Sequence, residues 1–407
     1  MTRVRLGEIC ERLSSGKSIK AAEVQESGTY PVIGGNGLRG YAERYNFDGE
    51  CAVIGRQGAA CGNVRFHSGK AYMTEHAVVA VANESNDSHY LAYLLSTMSL
   101  GRLSAQSAQP GLSVKTLSKQ EIDLPSLEKQ RQVVEVIGSI DAKIGINAKL
   151  NGYLAEIADA LFTDAFGNLE DNAVLSDIAK ITMGQSPAGT SYNEEGVGTV
   201  FYQGRGEFGW RYPAQRLFTT EPKRMAKSGD VLMSVRAPVG DLNLAYEDCC
   251  IGRGLAVISC DYPSYCLYLM RSLGKKLDAY NGEGTVFGSI SGKALKGIGI
   301  GLPGNDDIAA FEAMVAPIDA QIRCNETESR ILSQLRDALL PKLMSGEIGV
   351  SKVHLTRPNS HLAEILRPFG CHIPAIQKRG GPRSCELPHN LGYRIIRLTS
   401  TSPLLPK

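Results

Sequence analysis

Apolar residues recur along this chain in two regimes, and each regime occurs twice. Over Leu127–Phe162 they fall at Val133, Ile137, Ile140, Ile144, Leu150, Leu154, Ile157 and Leu161, with Asn147 in one polar slot. Steps that alternate three and four place all of them on one stripe of an α-helix, the seam of a coiled coil. Over Phe311–Leu343 the pattern returns as Phe311, Val315, Ile318, Ile322, Leu332, Leu335 and Leu339, with Asn325 in the slot of Asn147. Each helix would be roughly 50 Å long at ~1.5 Å per residue, too long for one small domain to cover. The two are therefore expected to pair antiparallel; the alternative is that each packs only on its own domain. An asparagine in a seam lowers stability but fixes register and partner, so Asn147 and Asn325 are expected to meet. The helix-pair core is read as Ile137, Ile140, Ile144, Asn147, Leu154, Val315, Ile318, Ile322, Asn325 and Leu332. Pro317 should kink the second helix or remove one hydrogen bond.

Ahead of each helix lies the other regime: short apolar runs broken by Gly, Asn and Pro, the mark of strands and turns. The copies share a register of 178 residues, in which Ser113, Lys115, Leu117, Ile122, Leu124 and Pro125 become Ser291, Lys293, Leu295, Ile300, Leu302 and Pro303. Gly49 to Arg56 matches Gly229 to Arg236 at an offset of 180, and Gly62 and Gly240 return to 178. Apolar strands are expected at Ala77–Val81 and Leu255–Ile258, and short helices at Tyr90–Met98 and Tyr265–Leu273. The fold class is mixed α/β (α+β): two homologous domains with short strands and long loops, separated by two long helices. The divisions are residues 1–125, a helix at 126–165, residues 170–305, a helix at 306–346, and a tail at 347–407. The tail has no counterpart after the first helix and is expected to be disordered.

Composition adds little to the fold but narrows the function. The 407 residues are 43% hydrophobic and 21% charged, ordinary globular material. Net charge is +2, yet residues 351–407 hold nine Lys/Arg against two Asp/Glu, leaving 35 against 40 in the body. Any positive potential for nucleic acid must therefore be local. No charged-then-apolar leader and no membrane-length apolar run is apparent. Ten cysteines without pairing logic read as free thiols in a cytoplasmic protein.

Catalytic and metal chemistry finds no foothold. Gly35-Asn36-Gly37-Leu38-Arg39-Gly40 fits G-x-G-x-x-G, but the few residues before the next turn are too short for the required helix. The body's histidines, His67, His76 and His89, lie in the first copy alone, with no nucleophile elbow or zinc-binding helix motif near them. No catalytic residue, metal site or cofactor is assigned. What recurs instead is a set of polar loops carrying the residue types that read base edges and grip phosphates. In the first copy these are Asn36, Arg39, Tyr41, Arg44, Arg56, Gln57 and Lys70; in the second, Gln203, Arg205, Trp210, Arg211, Arg236 and Asn243. Two similar but non-identical loop surfaces suit two similar but non-identical ligands.

The segments Gly229-Asp230-Val231-Leu232-Met233-Ser234-Val235-Arg236-Ala237-Pro238-Val239-Gly240, Cys249-Cys250-Ile251-Gly252-Arg253-Gly254-Leu255, Leu124-Pro125-Ser126-Leu127-Glu128-Lys129-Gln130 and Leu340-Pro341-Lys342-Leu343-Met344-Ser345-Gly346-Glu347-Ile348 resemble the specificity subunit of type I restriction–modification systems. The resemblance covers residues 1 to about 348. It implies two target-recognition domains, each reading half of a split site in double-stranded DNA, and an antiparallel helix pair that sets the gap. It further implies docking of two modification (methyltransferase) subunits and of restriction subunits. S-adenosylmethionine, ATP and magnesium would belong to those partners, not to this chain. The adenine-methyltransferase motif N-P-P-[FYW] is absent, as a site-choosing subunit allows. A non-DNA-binding coiled-coil adaptor and a fused hydrolase or methyltransferase are the readings from other classes. Two segments depart from the family pattern: Pro303-Gly304-Asn305-Asp306-Asp307 at the second helix start, and the tail after Gly349.

Overall fold

A computed structural model describes residues 1–104, 111–281, 288–350, 353–356 and 395–398. The chain divides into two units, one of residues 1–146 with 327–407 and one of residues 147–326. Each unit thus combines a globular part with half of each long helix.

In the first unit a six-stranded sheet runs in the order Cys10–Ser15, Ala77–Ala82, Phe47–Gly55, Val64–Met73, Tyr30–Gly34, Gly37–Ala42. Its ladders are antiparallel except Tyr30–Gly34 with Val64–Met73. Side chains alternate across a strand, and here both faces are covered. Ala52, Ile54, Val78 and Ala80 point into a core with the helix Ser88–Thr97, while Cys51, Val53, Ala77 and Val79 pack with Phe47, Ala71 and Met73 on the other face. That explains why these strands read as continuous apolar runs.

The second unit repeats the arrangement with a four-stranded sheet, Lys180–Met183, Leu255–Ser259, Val231–Ser234, Leu242–Leu244. Val231, Met233, Ala256 and Ile258 face the helix Pro263–Ser272, and Leu232, Leu255 and Val257 face a second core. A five-stranded sheet carries the inserted loops, including Thr199–Tyr202 and Cys249–Ile251.

The ladders correct the alignment of the two copies. Gly55 pairs with Ala77, and Ser234 pairs with Leu255. The bridges Gln57–Gly111 and Arg236–Ser289 follow. Gly55 therefore corresponds to Ser234, an offset of 179 rather than 180. Arg236 occupies the place of Gln57, and the counterpart of Arg56 is the buried Val235. A one-residue slip exchanges inward for outward side chains, which the match of apolar runs buried on both faces could not detect.

The long helices span Leu127–Phe166 and Asn305–Met344, the second running unbroken through Pro317. Within the first unit their halves run antiparallel: Asp141 accepts a hydrogen bond from Arg336 at 2.9 Å, and Lys143 pairs with Glu328 at 3.0 Å. Val133, Ile137 and Ile140 are buried with Leu339 and Leu343, and Ile144 and Leu332 are partly buried. Within the second unit Asn147 donates to the Asn325 carbonyl at 3.2 Å, Asn325 donates to Asn151 at 2.8 Å, and Phe162 packs edge-on to Phe311. Val315 and Ile322 are buried and Ile318 partly so.

The expected seam fails beyond Asn147. Leu150 and Ile157 are 41% and 51% exposed, and Leu154 and Leu161 are only half-buried. The buried line runs instead through Asn151, Ala155, Ala158, Phe162 and Phe166. Its mean step approaches four residues, the spacing of a helix clasped by a domain core, here Tyr265 and Phe311, rather than of a supercoil. In the tail, Ile348 and Val350 pack against the first unit's core, Val353–Thr356 and Ile395–Leu398 form an antiparallel pair, and the rest, on which the expectation of disorder falls, lies outside the described residues.

Each domain helix is tied to a long helix by the same bond. Tyr93 donates to Asp141 at 2.6 Å, and Tyr268 donates to Asp319 at 2.9 Å. Replacing Asp319 with Ala strands the buried Arg211 and should cost about 3–5 kcal/mol; Tyr268→Phe should cost about 1 kcal/mol. Tyr265, one turn earlier, is buried with no hydrogen-bond partner for its hydroxyl among the described residues, so Tyr265→Phe should be neutral or stabilising. Denaturant unfolding of the three variants checks this ranking, and a Tyr265→Phe loss equal to that of Tyr268→Phe would contradict it.

His89 lies half-buried between Phe66 and Tyr93, stacked 3.7 Å and 4.7 Å from their ring centres. Burial lowers its pKa below 6.5, against the opposing pull of Asp87, Glu50 and Asp141. The native state thus binds fewer protons than the unfolded one near that value. Its contribution to stability is complete above about 6.5 and is lost as pH falls through that range. Thermal unfolding should show the wild type losing more stability than His89→Phe between about pH 7.5 and 5.5. Parallel curves would exclude the effect.

Candidate nucleic-acid interface

In the first unit the exposed candidates gather where three turns meet. The turn after Tyr30–Gly34 carries Asn36 and Arg39, both exposed, and Arg39 lies across Gly34. Gly35 abuts Gly55 and the His76 carbonyl, which joins this turn to the end of Phe47–Gly55. There Gln57 is exposed and meets the His76 ring at 3.1 Å, while Arg56, half-buried, donates to Ser15 at 3.4 Å. Asn36, Arg39, Arg56 and Gln57 therefore share one surface.

The other three are committed elsewhere. Arg44 pairs with Glu23 at 2.6 Å and stacks 5.1 Å over Tyr72. Lys70 stands 4.8 Å over Tyr45, opposite Asp48, at the far end of the strand that Gln57 follows. Tyr41 is half-buried and its backbone bridges Gln25.

In the second unit Gln203, Arg205 and Arg236 line one cleft of about 270 Å³ with Ser234 and Arg253. Arg205 is braced by Asp241 at 2.7 Å. Trp210, the chain's one tryptophan, is 58% exposed on a loop above the sheet.

Two candidates prove to be structural. Arg211 is buried, bonded to Tyr268 and ion-paired with Asp319. Burial alone would lower its pKa, but Asp319 and Tyr268 outweigh it and hold the guanidinium charged. Asn243 is buried too, and its amide accepts from the Gly209 N–H at 3.1 Å and donates to the Gly209 carbonyl at 2.9 Å. It positions the loop bearing Trp210 and presents nothing to a ligand. Both residues belong to types that read DNA, and only burial distinguishes them.

Sequence reasoning missed Arg253 in the cleft and Arg65 in the first unit; each is exposed. Arg253 follows an invaginated Gly252 and precedes Gly254, both packed on Gln203, so the Gly-Arg-Gly spacing was the available signal. Among the described residues no group of His, Cys, Asp or Glu is arranged to hold a metal, and no helix is long and apolar enough to cross a membrane.

The arrangement is that of a duplicated DNA-specificity fold: two units of like topology, each presenting a polar, arginine-bearing turn surface and carrying half of each long helix. Residues 1–155 match the family described as the type I restriction modification DNA specificity domain. The chain is 31% identical over 322 residues to a putative type I restriction enzyme MjaX specificity subunit of Methanocaldococcus jannaschii, covering 71% of this chain and 76% of that protein. It is 39% identical over 143 residues to the type I restriction enzyme EcoprrI specificity subunit of Escherichia coli, 34% of this chain and 35% of that one. A crystal structure of a type I restriction–modification system S subunit from M. genitalium superposes with a TM-score of 0.58 at 16% identity, over 84% of this chain and 95% of that chain, and so shares the fold. The chain belongs to the family of type I restriction–modification DNA specificity subunits.

Proposed function

We propose that this chain chooses the DNA site for a type I complex without catalysing a reaction itself. Each unit reads one half of a bipartite, asymmetric double-stranded site. The long helices set the gap and dock two modification subunits, which restriction subunits join; S-adenosylmethionine, ATP and magnesium serve those partners. The observation that carries the two-reader model is the difference between equivalent turns. Where the first unit presents Gln57 and Glu75, the second presents Arg236 and Arg253. Glutamine suits adenine and arginine suits guanine in a major groove, so like frames with unlike side chains imply unlike half-sites.

Methylome mapping in the host tests this. Exchanging residues 170–305 for those of a relative should change one half of the methylated motif, and Arg236→Ala should relax the same half by about 1–3 kcal/mol per base contact. A change in both halves, or a single continuous palindrome, would overturn the two-reader model.

The docking role is supported by an apolar stripe on the first long helix, where Leu150, Tyr153 and Ile157 are 41%, 63% and 51% exposed. A modification subunit covering them would bury what this chain leaves wet. Tyr153→Asp with Ile157→Asp should leave the secondary structure intact by circular dichroism and abolish copurification with the modification subunit. Retained copurification would place docking elsewhere.

A further inference from the structure

Beside the turn surface of the first unit lies a second cleft, of about 550 Å³, between the start of Val64–Met73 and the end of the helix Ser88–Thr97. Its lining includes Asn63, Arg65, Ser96, Ser99 and Arg102 and contains no carboxylate. Arg65 and Arg102 are exposed, and among the described residues neither side chain has an ion pair or hydrogen bond. Two arginines are thus held at one concavity with no anion among the described residues paired to them.

The cleft is also built, not incidental. Ser99 is the one described non-glycine residue at positive φ, +49°, a conformation costly for a residue with a side chain. Gly62 closes against the Gly101 backbone, where a Cβ would stand 2.1 Å from the Gly101 nitrogen. Arg65 lies over Gly37, at φ +101°, where a Cβ would meet its guanidinium at 2.1 Å. The positive φ is what calls for glycine there, and the Arg65 guanidinium reaches from the cleft to that turn, which also bears Asn36 and Arg39.

At the corresponding place the second unit lacks this pair, and its exposed Arg236 and Arg253 line the turn cleft instead. By ladder register the counterpart of Arg65 is Asn243, because Arg65 pairs with Val53 and Asn243 with Leu232. Asn243 is spent on Gly209, and in place of the Gly101 backbone Gly240 meets the Leu277 side chain.

We propose that the Arg65–Arg102 cleft seats a backbone phosphate of the target duplex, so that the first unit grips DNA irrespective of sequence while the second contributes chiefly readout. The Ser99 hydroxyl and the Asn63 amide supply further donors to the phosphate oxygens, the usual donor set for a contact that positions without specifying, while the Ser96 hydroxyl is held by the Tyr93 carbonyl at 2.7 Å. The inference rests on the DNA-reading function proposed above and adds an asymmetry to it.

The test uses the full chain assembled with its modification subunits, and two duplexes of about 40 base pairs: one bearing the motif mapped by methylome sequencing, one with that motif scrambled. Binding is measured across a salt series. Arg65→Ala with Arg102→Ala should weaken binding to both duplexes alike, by roughly tenfold at about 0.1 M salt, and reduce the log–log salt slope by about 0.9, the share of one phosphate. The methylated motif should not change. Arg65→Lys with Arg102→Lys, which keeps the charge, should retain the slope and guards against a folding defect, as does Arg131→Ala on the exposed first helix. An unchanged slope in the alanine pair, or loss confined to the motif-bearing duplex, overturns the phosphate seat while leaving DNA reading intact. Wild-type assembly that favours neither duplex would instead overturn the DNA-reading function itself.

Discussion

The structure depends on a half-buried carboxylate on each long helix. Asp141 and Asp319 occupy the same position in the repeat, and each accepts a tyrosine hydroxyl from the short helix of its own domain. A carboxylate withdrawn from water is tolerable only when hydrogen-bonded and charge-matched. The two units meet that demand from different sources. Asp141 takes Arg336 from the second long helix, whereas Asp319 takes Arg211 from a loop of the domain. The first solution fastens helix to helix, and the second fastens helix to loop. At the place of Arg336 on the other helix stands Ala158, fully buried, which leaves room for close packing but no cation. Duplication preserved the anion and the tyrosine, and let the cation come from whichever element could reach.

That freedom shapes the recognition surfaces. Once Arg211 is committed to Asp319, the loop that bears it is anchored at its base, and Asn243 pins the same loop at Gly209. Trp210 is then carried outward on a support fixed at two points. In the first unit the corresponding strand position holds Arg65, which is free, and the facing turn is short and glycine-rich. One frame thus yields an extended aromatic loop in one unit and an open cationic cleft in the other. Differences between the half-sites would follow less from substitutions at equivalent surface positions than from which residues are consumed in holding the loops.

The repeat, the helix positions and the mixed α/β character were legible because they rest on period and register, which a sequence displays directly. Strand offsets were not, because Cys51–Gly55 and Val231–Val235 are apolar on both faces and lack the alternation that would fix a one-residue shift. Arg211 and Asn243 were misread for a related reason. Their chemistry is right for DNA, and burial depends on partners at Asp319 and Gly209 that lie 108 and 34 residues away. Arg65 was invisible because what marks it is a missing partner, a property of space and not of spacing. Contact-forming residues in loops are thus identified by what they are not bonded to, which only coordinates reveal.

The failure of the seam past Asn147 has a constructive side. A helix whose leucines followed the buried line would need one partner face. Here the buried line carries Asn151, Ala155 and Ala158, small or hydrogen-bonded residues that admit the second helix closely, followed by Phe162 and Phe166 against the domain. The stripe of Leu150, Leu154, Ile157 and Leu161 is turned aside by the difference between steps of 3.5 and nearly four. Such a helix has two apolar faces, and this chain covers one. Leucines kept at coiled-coil spacing on a face that the chain itself does not bury are costly in water. They are accounted for if the spacing is written for helices of another subunit, and the asparagines then have a second role. By fixing which face turns inward through Asn147, Asn151 and Asn325, they decide which face this chain leaves exposed.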